Sequence, residues 1–279
     1  MTIAQTLDIE LLSPAIGARI TGVELGPPIA PGIAQALRDA FAHHAVLCLS
    51  GRKVTAQQQI AFASLFGAVD AGNPVGKDPG AIRSKRGVML VSNIKKDGAF
   101  IGVLPEGEMH FHSDGAHRAT PYRATTLYAI KVPSIGGETR FAAMAAAYEA
   151  LGAEMQERLA GLQARHVFNY NKTTRAEMRD DATAVAVHPL VRVHPDTGRR
   201  AIYVSRLMTR DVVGLEPAES DELLEYLFAH CERPDFVYAH RWAPGDLVIW
   251  DNRCVNHART DFPAHETRLL RRYTVSEPA

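Results

Sequence analysis

Apolar and polar positions alternate, or recur at helical spacing, along most of the chain, and this pattern predicts many short elements. Residues 8–26 alternate and carry glycines, which is typical of strands joined by a turn. Residues 31–44, PGIAQALRDAFAHH, place apolar side chains at helical spacing behind a proline. Residues 54–67 predict a second helix, with Thr55 as its N-cap and Gly67 as its C-cap.

The remaining strands are predicted mainly in the middle and at the end of the chain. They are residues 45–50, 88–94 and 125–133, a hairpin over 188–205, and three strands in FVYAHRW, GDLVIWDN and RLLRRYTV. The longest predicted helix covers residues 142–162, a further amphipathic helix covers 219–231, and the Gly- and Pro-containing residues 68–87 predict a loop. This arrangement favours one α+β domain over residues 1–279, with a β-sandwich or jelly-roll core and helices packed outside it.

Composition narrows the class of protein. Of 279 residues, 46% are hydrophobic and 22% charged, as in ordinary globular proteins. Lys and Arg together number 31, as do Asp and Glu, so no overall field attracts nucleic acid or an anionic membrane, and a small-molecule partner is expected. Three cysteines without a CxxC pair, no secretory signal and no long apolar run predict a cytoplasmic protein without a membrane span.

The segment EMHFHSDGAH, residues 108–117, concentrates potential metal ligands. His110, His112 and Asp114 alternate, so an extended strand would place all three side chains on one face. Two histidines and one carboxylate form the set that binds catalytic Fe(II) with positions left open. His257, which follows the apolar run GDLVIWDNRCVN, is the most suggestive distant ligand. These residues alone leave open a shell of His110, His112 and a carboxylate.

Five motifs together carry a family resemblance. The sequences FHSD (111–114), PSIGGET (133–139), GDLVIWDNR (245–253), the residue His257 and RLLRR (268–272) resemble the TauD/TfdA family, and the resemblance extends over nearly the whole chain. It implies a double-stranded β-helix, or jelly-roll, core with flanking helices. It also implies an enzyme that uses Fe(II), 2-oxoglutarate and O₂ to hydroxylate an unactivated C–H of a small anionic or zwitterionic molecule, releasing succinate and CO₂.

The resemblance also implies roles for particular residues. His112, Asp114 and His257 would be catalytic metal ligands, while Thr139 and Arg268 would bind 2-oxoglutarate. The family places an aromatic residue before its first ligand, and Phe111 there favours His112 over His110. A carboxylate at position 114 favours hydroxylation, because the related halogenases carry a small residue at this point.

The substrate residues are expected to differ from those of taurine dioxygenase. Arg272 matches the position that meets the anionic end of taurine, and a strand would turn it to the same face as Arg268, with Arg271 opposite. Asn73 and Glu108 stand where taurine dioxygenase has other residues, which argues against taurine. SNIKKDG and FVYAHRW are closer to the aryloxyalkanoate branch.

Further substrate contacts are predicted from these departures. Lys95 is a candidate to meet a substrate carboxylate, Glu108 an amine, and His110 would line the pocket. Two other functions stay open, namely a cupin-type zinc hydrolase or isomerase using His110 and His112, and a non-catalytic protein that binds small anions. A homo-oligomer is expected.

Overall fold

The computed structural model describes residues 7–25, 28–70, 88–104, 106–169, 172–175 and 184–277. Its strands are β1 (Asp8–Leu11), β2 (Ala18–Thr21), β3 (Val46–Leu49), β4 (Ala68–Val69), β5 (Met89–Ser92), β6 (Lys95–Lys96), β7 (Ala99–Phe100), β8 (Met109–His112), β9 (Tyr122–Lys131), β10 (Thr139–Ala143), β11 (Gln163–Phe168), β12 (Ala184–Pro189), β13 (Val191–Val193), β14 (Arg200–Ile202), β15 (Thr209–Val212), β16 (Val237–His240), β17 (Leu247–Asp251), β18 (Val255–Arg259) and β19 (Leu269–Ser276). Its helices are α1 (Pro31–His44), α2 (Ala56–Ala63), α3 (Met144–Glu149), α4 (Ala153–Leu159), α5 (Pro217–Cys231) and a short 3₁₀ helix (Pro234–Phe236).

Two sheets organise the fold. The larger has eight strands in the order β1-β2-β3-β17-β9-β19-β4, with β5 also paired to β19. The smaller has four strands in the order β16-β10-β18-β8. All of these pairings are antiparallel except β2 with β3. Strands β11, β12 and β15 form a separate small sheet.

The centre of the larger sheet is buried on both faces, as strand β17 illustrates. Leu247 and Ile249 belong to the apolar cluster that includes Phe41 of α1 and Phe62 of α2. Trp250 belongs instead to a cluster that contains residues of both sheets, including Phe141 of β10. Successive side chains of β17 therefore point alternately toward the helices outside the sheet and toward the space between the two sheets. Burying each of these side chains contributes on the order of 1.5–3 kcal/mol.

The smaller sheet brings the potential ligands together. Strands β8 and β18 are neighbours, and their register pairs His112 directly with His257. Strand β10, on the other side of β18, pairs Phe141 with His257 and begins at Thr139. The sheet thus places two histidines from distant parts of the chain side by side.

Several predicted elements are confirmed and some are wrong. Helix α1 has the predicted bounds, and Thr55 caps α2 in a capping box with Gln58. Gly67 is not the C-cap, because α2 ends at Ala63 and Ser64 takes that place. No helix formed by the described residues is long and apolar enough to cross a membrane.

The predicted helix over residues 142–162 is wrong. Ala142 and Ala143 complete strand β10, and the remainder forms α3 and α4, with Gly152 as the N-cap of α4. Alanine-rich sequence suits a helix, but pairing of β10 with β16 and β18 fixes the first residues as strand. The sequence pattern also does not predict β18, the strand that carries His257.

Candidate metal centre

His112, Asp114 and His257 converge in the interior of the protein. All three side chains are buried, and their potential ligand atoms lie within 4.8 Å of one another. The Nε2 atom of His112 is 3.7 Å from Asp114 Oδ1, and that of His257 is 3.8 Å from Asp114 Oδ2. The two imidazole ring centroids are 4.1 Å apart.

The surroundings set the tautomer of His112. Its Nδ1 atom lies 2.9 Å from the backbone oxygen of His110. A carbonyl can only accept, so Nδ1 carries the proton and the Nε2 lone pair faces Asp114. Burial lowers the pKa of His112 and lowers that of His257 well below its usual value, so both rings are neutral. Neutral imidazole is the form that binds a metal.

Asp114 is ionised although it is buried. Burial opposes its charge, but the cation of Arg272 holds the pKa of the carboxyl below its usual range. The Thr125 hydroxyl adds to this by donating to Asp114 Oδ2 at 2.6 Å. Two neutral imidazole nitrogens and one carboxylate are a donor set that fits Fe(II), with room for further ligands.

A second positive side chain lies close to this centre. Arg268 is 2% exposed, yet the structure gives it no ion pair with any described carboxylate. Its Nε and Nη1 atoms have no hydrogen-bond partner among the described residues, and Nη2 reaches only the Gly137 carbonyl at 3.4 Å. Burial, followed by the charge of Arg259, lowers the pKa of Arg268 to about 9. A buried guanidinium with free donors is built to receive an anion.

The double-glycine turn makes room for this guanidinium. Gly137 has φ +69°, a backbone region that favours glycine, and an added Cβ would lie 3.3 Å from Arg268 Nε. The turn is held by Gly137 N, which donates to the Asp261 carbonyl at 3.0 Å. Glycine is therefore favoured at position 137 for two reasons: the backbone has a positive φ, and a larger residue would crowd the Arg268 side chain.

A cavity connects the triad to the arginine. Its lining includes His112, His257, Thr139 and Arg268, together with Val91, Leu104, Met109, Leu127, Trp250, Ala258, Arg259 and Arg272. Donors that could bind a carboxylate and two of the potential metal ligands thus line the same cavity. A molecule with a chelating end and a distant carboxylate suits this arrangement.

Comparison with known proteins identifies the family. The family model described as taurine catabolism dioxygenase TauD, TfdA family, matches residues 8–274. The chain belongs to the TauD/TfdA family. The prediction of an Fe(II)- and 2-oxoglutarate-dependent dioxygenase is thereby confirmed at the level of the family.

Individual members of the TauD/TfdA family resemble the chain over almost its full length. An (S)-phenoxypropionate/alpha-ketoglutarate-dioxygenase of Sphingobium herbicidovorans is 33% identical, covering 94% of this chain and 92% of that protein. The crystal structure of a taurine dioxygenase from Burkholderia xenovorans has a TM-score of 0.81 and 32% identity, covering 97% of this chain and 89% of the other. The crystal structure of AAD-2 in complex with Mn(II) and N-oxalylglycine has a TM-score of 0.79 and 30% identity, covering 98% and 99%.

The predicted substrate residues of this TauD/TfdA protein are placed unequally. Arg272 lies at the centre, with Nη2 2.7 Å from Asp114 Oδ1. His110 does not join the triad, and its Nε2 lies 3.6 Å from the exposed Glu108 carboxylate. Lys95 is exposed on the β6–β7 hairpin, with its amine over the Phe100 ring. Asn73 lies outside the described residues.

Sequence reasoning did not predict several residues that bind neither metal nor cosubstrate but position the residues that would. Asn252 accepts from Asp114 N at 3.3 Å and donates to Thr125 Oγ1 at 3.0 Å, which orients the acidic ligand. Arg259 donates to the carbonyls of Leu104, Glu106 and Gly107, which fixes a wall of the cavity. The one available signal is position, because Arg259 is two residues after His257 and shares its strand face.

Two further groups of His, Cys and Asp side chains occur in the described part of the chain, and both are better explained as structural. They are Cys48, His240 and Asp246, and His194, Asp251 and Cys254. Asp251 is already bound by Arg253 through both carboxylate oxygens. Burial raises the pKa of the Cys48 thiol to about 11 and the pKa of Cys254 well above its usual value, which opposes the thiolate that a metal needs.

Proposed function

We propose that this TauD/TfdA protein is an Fe(II)- and 2-oxoglutarate-dependent dioxygenase that hydroxylates a C–H of a small anionic or zwitterionic molecule, releasing succinate and CO₂. The proposal rests on one observation: His112 and His257, which form a buried group with Asp114, line the same cavity as Arg268. Arg268 is also buried, and it has no acidic partner among the described residues. The first group suits the metal, and the arginine suits the distant carboxylate of the cosubstrate.

The architecture is consistent with this function. We infer that the two sheets, which share one apolar cluster, form a double-stranded β-helix, or jelly-roll, core. We also infer that residues 1–279 form a single domain. That the chain forms a homo-oligomer stays a prediction, which its mass in solution would test.

The three proposed metal ligands each have a distinct support. His112 is held in its binding tautomer by the His110 carbonyl, while Asp114 is held by Thr125 and Asn252. His257 is placed by the register of β18 against β8. The bound iron would supply the oxidation of the substrate C–H, and the protein supplies the geometry of the ligands.

Arg268 and Thr139 would hold the cosubstrate. The guanidinium offers a planar fork to a carboxylate, and its cation is not neutralised by any described side chain. The Thr139 hydroxyl adds a neutral donor to the lining of the same cavity. A dicarboxylate bound there would present its 2-oxo acid end to the metal, which is the orientation that the reaction requires.

Arg272 would meet the substrate. It is partly exposed, with a side-chain exposure of 14%, and its Nε atom has no partner among the described residues. The neighbouring wall of the cavity is apolar, formed by Val91, Leu104, Met109 and Leu127. A cation beside an apolar wall favours an anion with an apolar body, such as an aryloxyalkanoic acid, the class on which the Sphingobium relative acts by its name.

The test is a panel of aryloxy acids, sulfonates, sulfate esters and amino acids with Fe(II), ascorbate, O₂ and 2-oxoglutarate. Succinate together with a product heavier by one oxygen atom is expected for at least one class. Turnover with zinc and without 2-oxoglutarate would instead favour the cupin-type hydrolase or isomerase. Tight binding of an anion without any succinate, even uncoupled, would favour the non-catalytic binding protein.

A further inference from the structure

The Thr139 hydroxyl is itself held by a tryptophan. Trp242, in the segment between β16 and β17, donates its indole N–H to Thr139 Oγ1 at 3.0 Å. Both residues are buried, Thr139 at 3% and Trp242 at 8% exposure. Indole N–H can only donate, so in this bond the threonine oxygen must be the acceptor.

This bond determines where the threonine proton points. A hydroxyl has one proton and two acceptor positions, and Trp242 occupies one of the acceptor positions. Among the described residues, Trp242 is the only hydrogen-bond partner of the Thr139 hydroxyl. The proton is therefore left for a group in the cavity that Thr139 lines together with Arg268. A carboxylate, which only accepts, is the complement of such a donor.

The indole is fixed by its neighbours. The His240 ring packs edge-on against it, with centroids 4.6 Å apart and the planes at 87°. His240 pairs with Thr139 in the register of β16 and β10, and its Nε2 lies 3.2 Å from Asp246 Oδ2. Asp246 also accepts from Ala243 N at 2.9 Å. Trp242 thus has little freedom to turn its N–H away from Thr139.

We propose that Trp242 is a positioning residue for the cosubstrate, which directs the single proton of Thr139 toward the distant carboxylate of 2-oxoglutarate. The inference rests on the proposed function and on the placement of that carboxylate at Thr139 and Arg268. It goes beyond them because Trp242 is not among the residues that line the cavity and would act only through Thr139. A tryptophan that served only as core packing, in the cluster with Phe141 and Trp250, would not act through Thr139.

The test is Trp242→Phe, which keeps an aromatic ring and removes the donor. The affinity for 2-oxoglutarate is measured by calorimetry on the Mn(II)-loaded protein, so that no turnover is needed. A weakening of about fivefold is expected, because the Thr139 hydroxyl is no longer directed toward the carboxylate and its hydrogen bond to 2-oxoglutarate is partly lost. Binding of 2-oxopentanoate, which lacks the distant carboxylate, is expected to be unchanged by the substitution.

A double-mutant comparison separates positioning from packing. In a Thr139→Val background, Trp242→Phe is expected to leave the affinity for 2-oxoglutarate unchanged, because the hydroxyl through which it acts is gone. Tyr238→Phe is the matched control. It removes the hydroxyl 3.0 Å from His240 Nδ1 without touching Thr139, and it should leave 2-oxoglutarate binding as in the unsubstituted protein.

A measurement on the unsubstituted protein serves if Trp242→Phe does not fold. The chain has two tryptophans, so ¹⁵N-labelled indoles give two signals in the diamagnetic Zn(II)-loaded protein. Addition of 2-oxoglutarate is expected to shift the Trp242 signal, and Thr139→Val to abolish that shift.

Three results would overturn the inference. They are an equal loss of affinity for 2-oxopentanoate in Trp242→Phe, additive effects of Trp242→Phe and Thr139→Val on the affinity for 2-oxoglutarate, and a Trp242 indole signal that does not shift when 2-oxoglutarate is added. If Arg268→Ala weakens binding of 2-oxoglutarate while Trp242→Phe does not, only this inference fails. If the unsubstituted protein binds no 2-oxoglutarate, the proposed function fails with it.

Discussion

Arg272 and Asp114 form an ion pair of 2.7 Å that joins the two sheets at the metal centre. Arg272 belongs to β19 of the larger sheet, and Asp114 follows β8 of the smaller one. The neighbouring Arg271 points to the opposite face, where it donates to Gln59 and to the Val54 carbonyl. The alternation places one cation at the centre and its sequence neighbour in the outer layer.

The substitution Arg272→Ala is expected to act on the substrate rather than on the cosubstrate. It removes a charge-assisted contact of about 1.5–3 kcal/mol, so the Michaelis constant for an anionic substrate should rise at least about tenfold. The Michaelis constant for the cosubstrate should change less, because Arg268 is retained even though Asp114 loses its ion pair with Arg272. Steady-state kinetics with each reactant varied in turn measure both constants.

Arg271→Ala is the matched control for this experiment. It also removes a guanidinium from β19, but one whose contacts lie with Gln59, Val54 and the Tyr128 ring. It should lower the melting temperature and leave the Michaelis constant for the anionic substrate alone. A larger effect of Arg272→Ala on the cosubstrate than on the substrate would contradict the assignment.

Removal of a proposed ligand is expected to abolish iron binding without unfolding the protein. His257→Ala leaves two of three ligands, so iron should be lost on gel filtration, which metal analysis of the recovered protein measures. His110→Ala is the control, because its ring lies toward Glu108 rather than in the triad. Retention of stoichiometric iron by His257→Ala, or its loss from His110→Ala, would favour the alternative shell.

The centre shows how far sequence alone reaches. Spacing predicts that His112 and Asp114 lie close together, and the alternation of Arg271 and Arg272 follows from the period of a strand. The pairing of His112 with His257 does not follow from any local pattern, since it depends on the register of two strands about half a chain apart. The family resemblance, not the spacing, selects His257.

Tertiary contacts explain what the sequence does not predict. Residues 142–162 are alanine-rich and helical in pattern, but Ala142 and Ala143 find strand partners in β18 and Ala142 also in β16. Thr125, Asn252 and Trp242 have no distinguishing local signal. The partners of Asn252 and Trp242 are more than 100 residues away in the sequence, and Thr125, on the larger sheet, acts on Asp114, which follows a strand of the smaller one. Their roles become visible only once the side chains are placed.

Gly137→Ala is expected to weaken 2-oxoglutarate binding more than it destabilises the fold. The added Cβ would lie 3.0 Å from Pro133 Cγ and 3.3 Å from Arg268 Nε, so it crowds both the proline and the guanidinium. A displaced guanidinium is expected to weaken binding about tenfold, because one charged contact is disturbed. The positive φ also strains the backbone, so the free energy of unfolding should fall by about 1 kcal/mol.

Gly214→Ala isolates the backbone contribution in that experiment. Its φ is +87°, and an added Cβ there would meet no described atom within 4 Å. Gly214→Ala should lower the free energy of unfolding about as much as Gly137→Ala does, without changing the affinity for 2-oxoglutarate. Urea unfolding measures the first quantity and calorimetry the second. Equal effects of the two variants on binding would show that Gly137 does not serve Arg268.

Asp251 is expected to make the fold sensitive to acid. Burial opposes its charge, but bonds from Arg253 and His194 lower its pKa to about 2 from the usual 3.8. A carboxyl whose pKa is lower in the folded protein stabilises the fold at every pH above the pKa of the unfolded chain. The contribution of Asp251 is therefore constant at neutral pH, shrinks as the pH falls below 3.8, and is lost near pH 2. Asp251→Asn removes the buried partner of Arg253 and leaves it the partly exposed Asp196 and the more distant Glu277. It should cost about 3 kcal/mol at pH 7 in urea unfolding, with a smaller difference at pH 3. Asp235→Asn, which breaks an exposed pair with Arg233, should cost about 1 kcal/mol or less at either pH. A difference for Asp251→Asn that stays constant from pH 7 to pH 3 would contradict the depressed pKa.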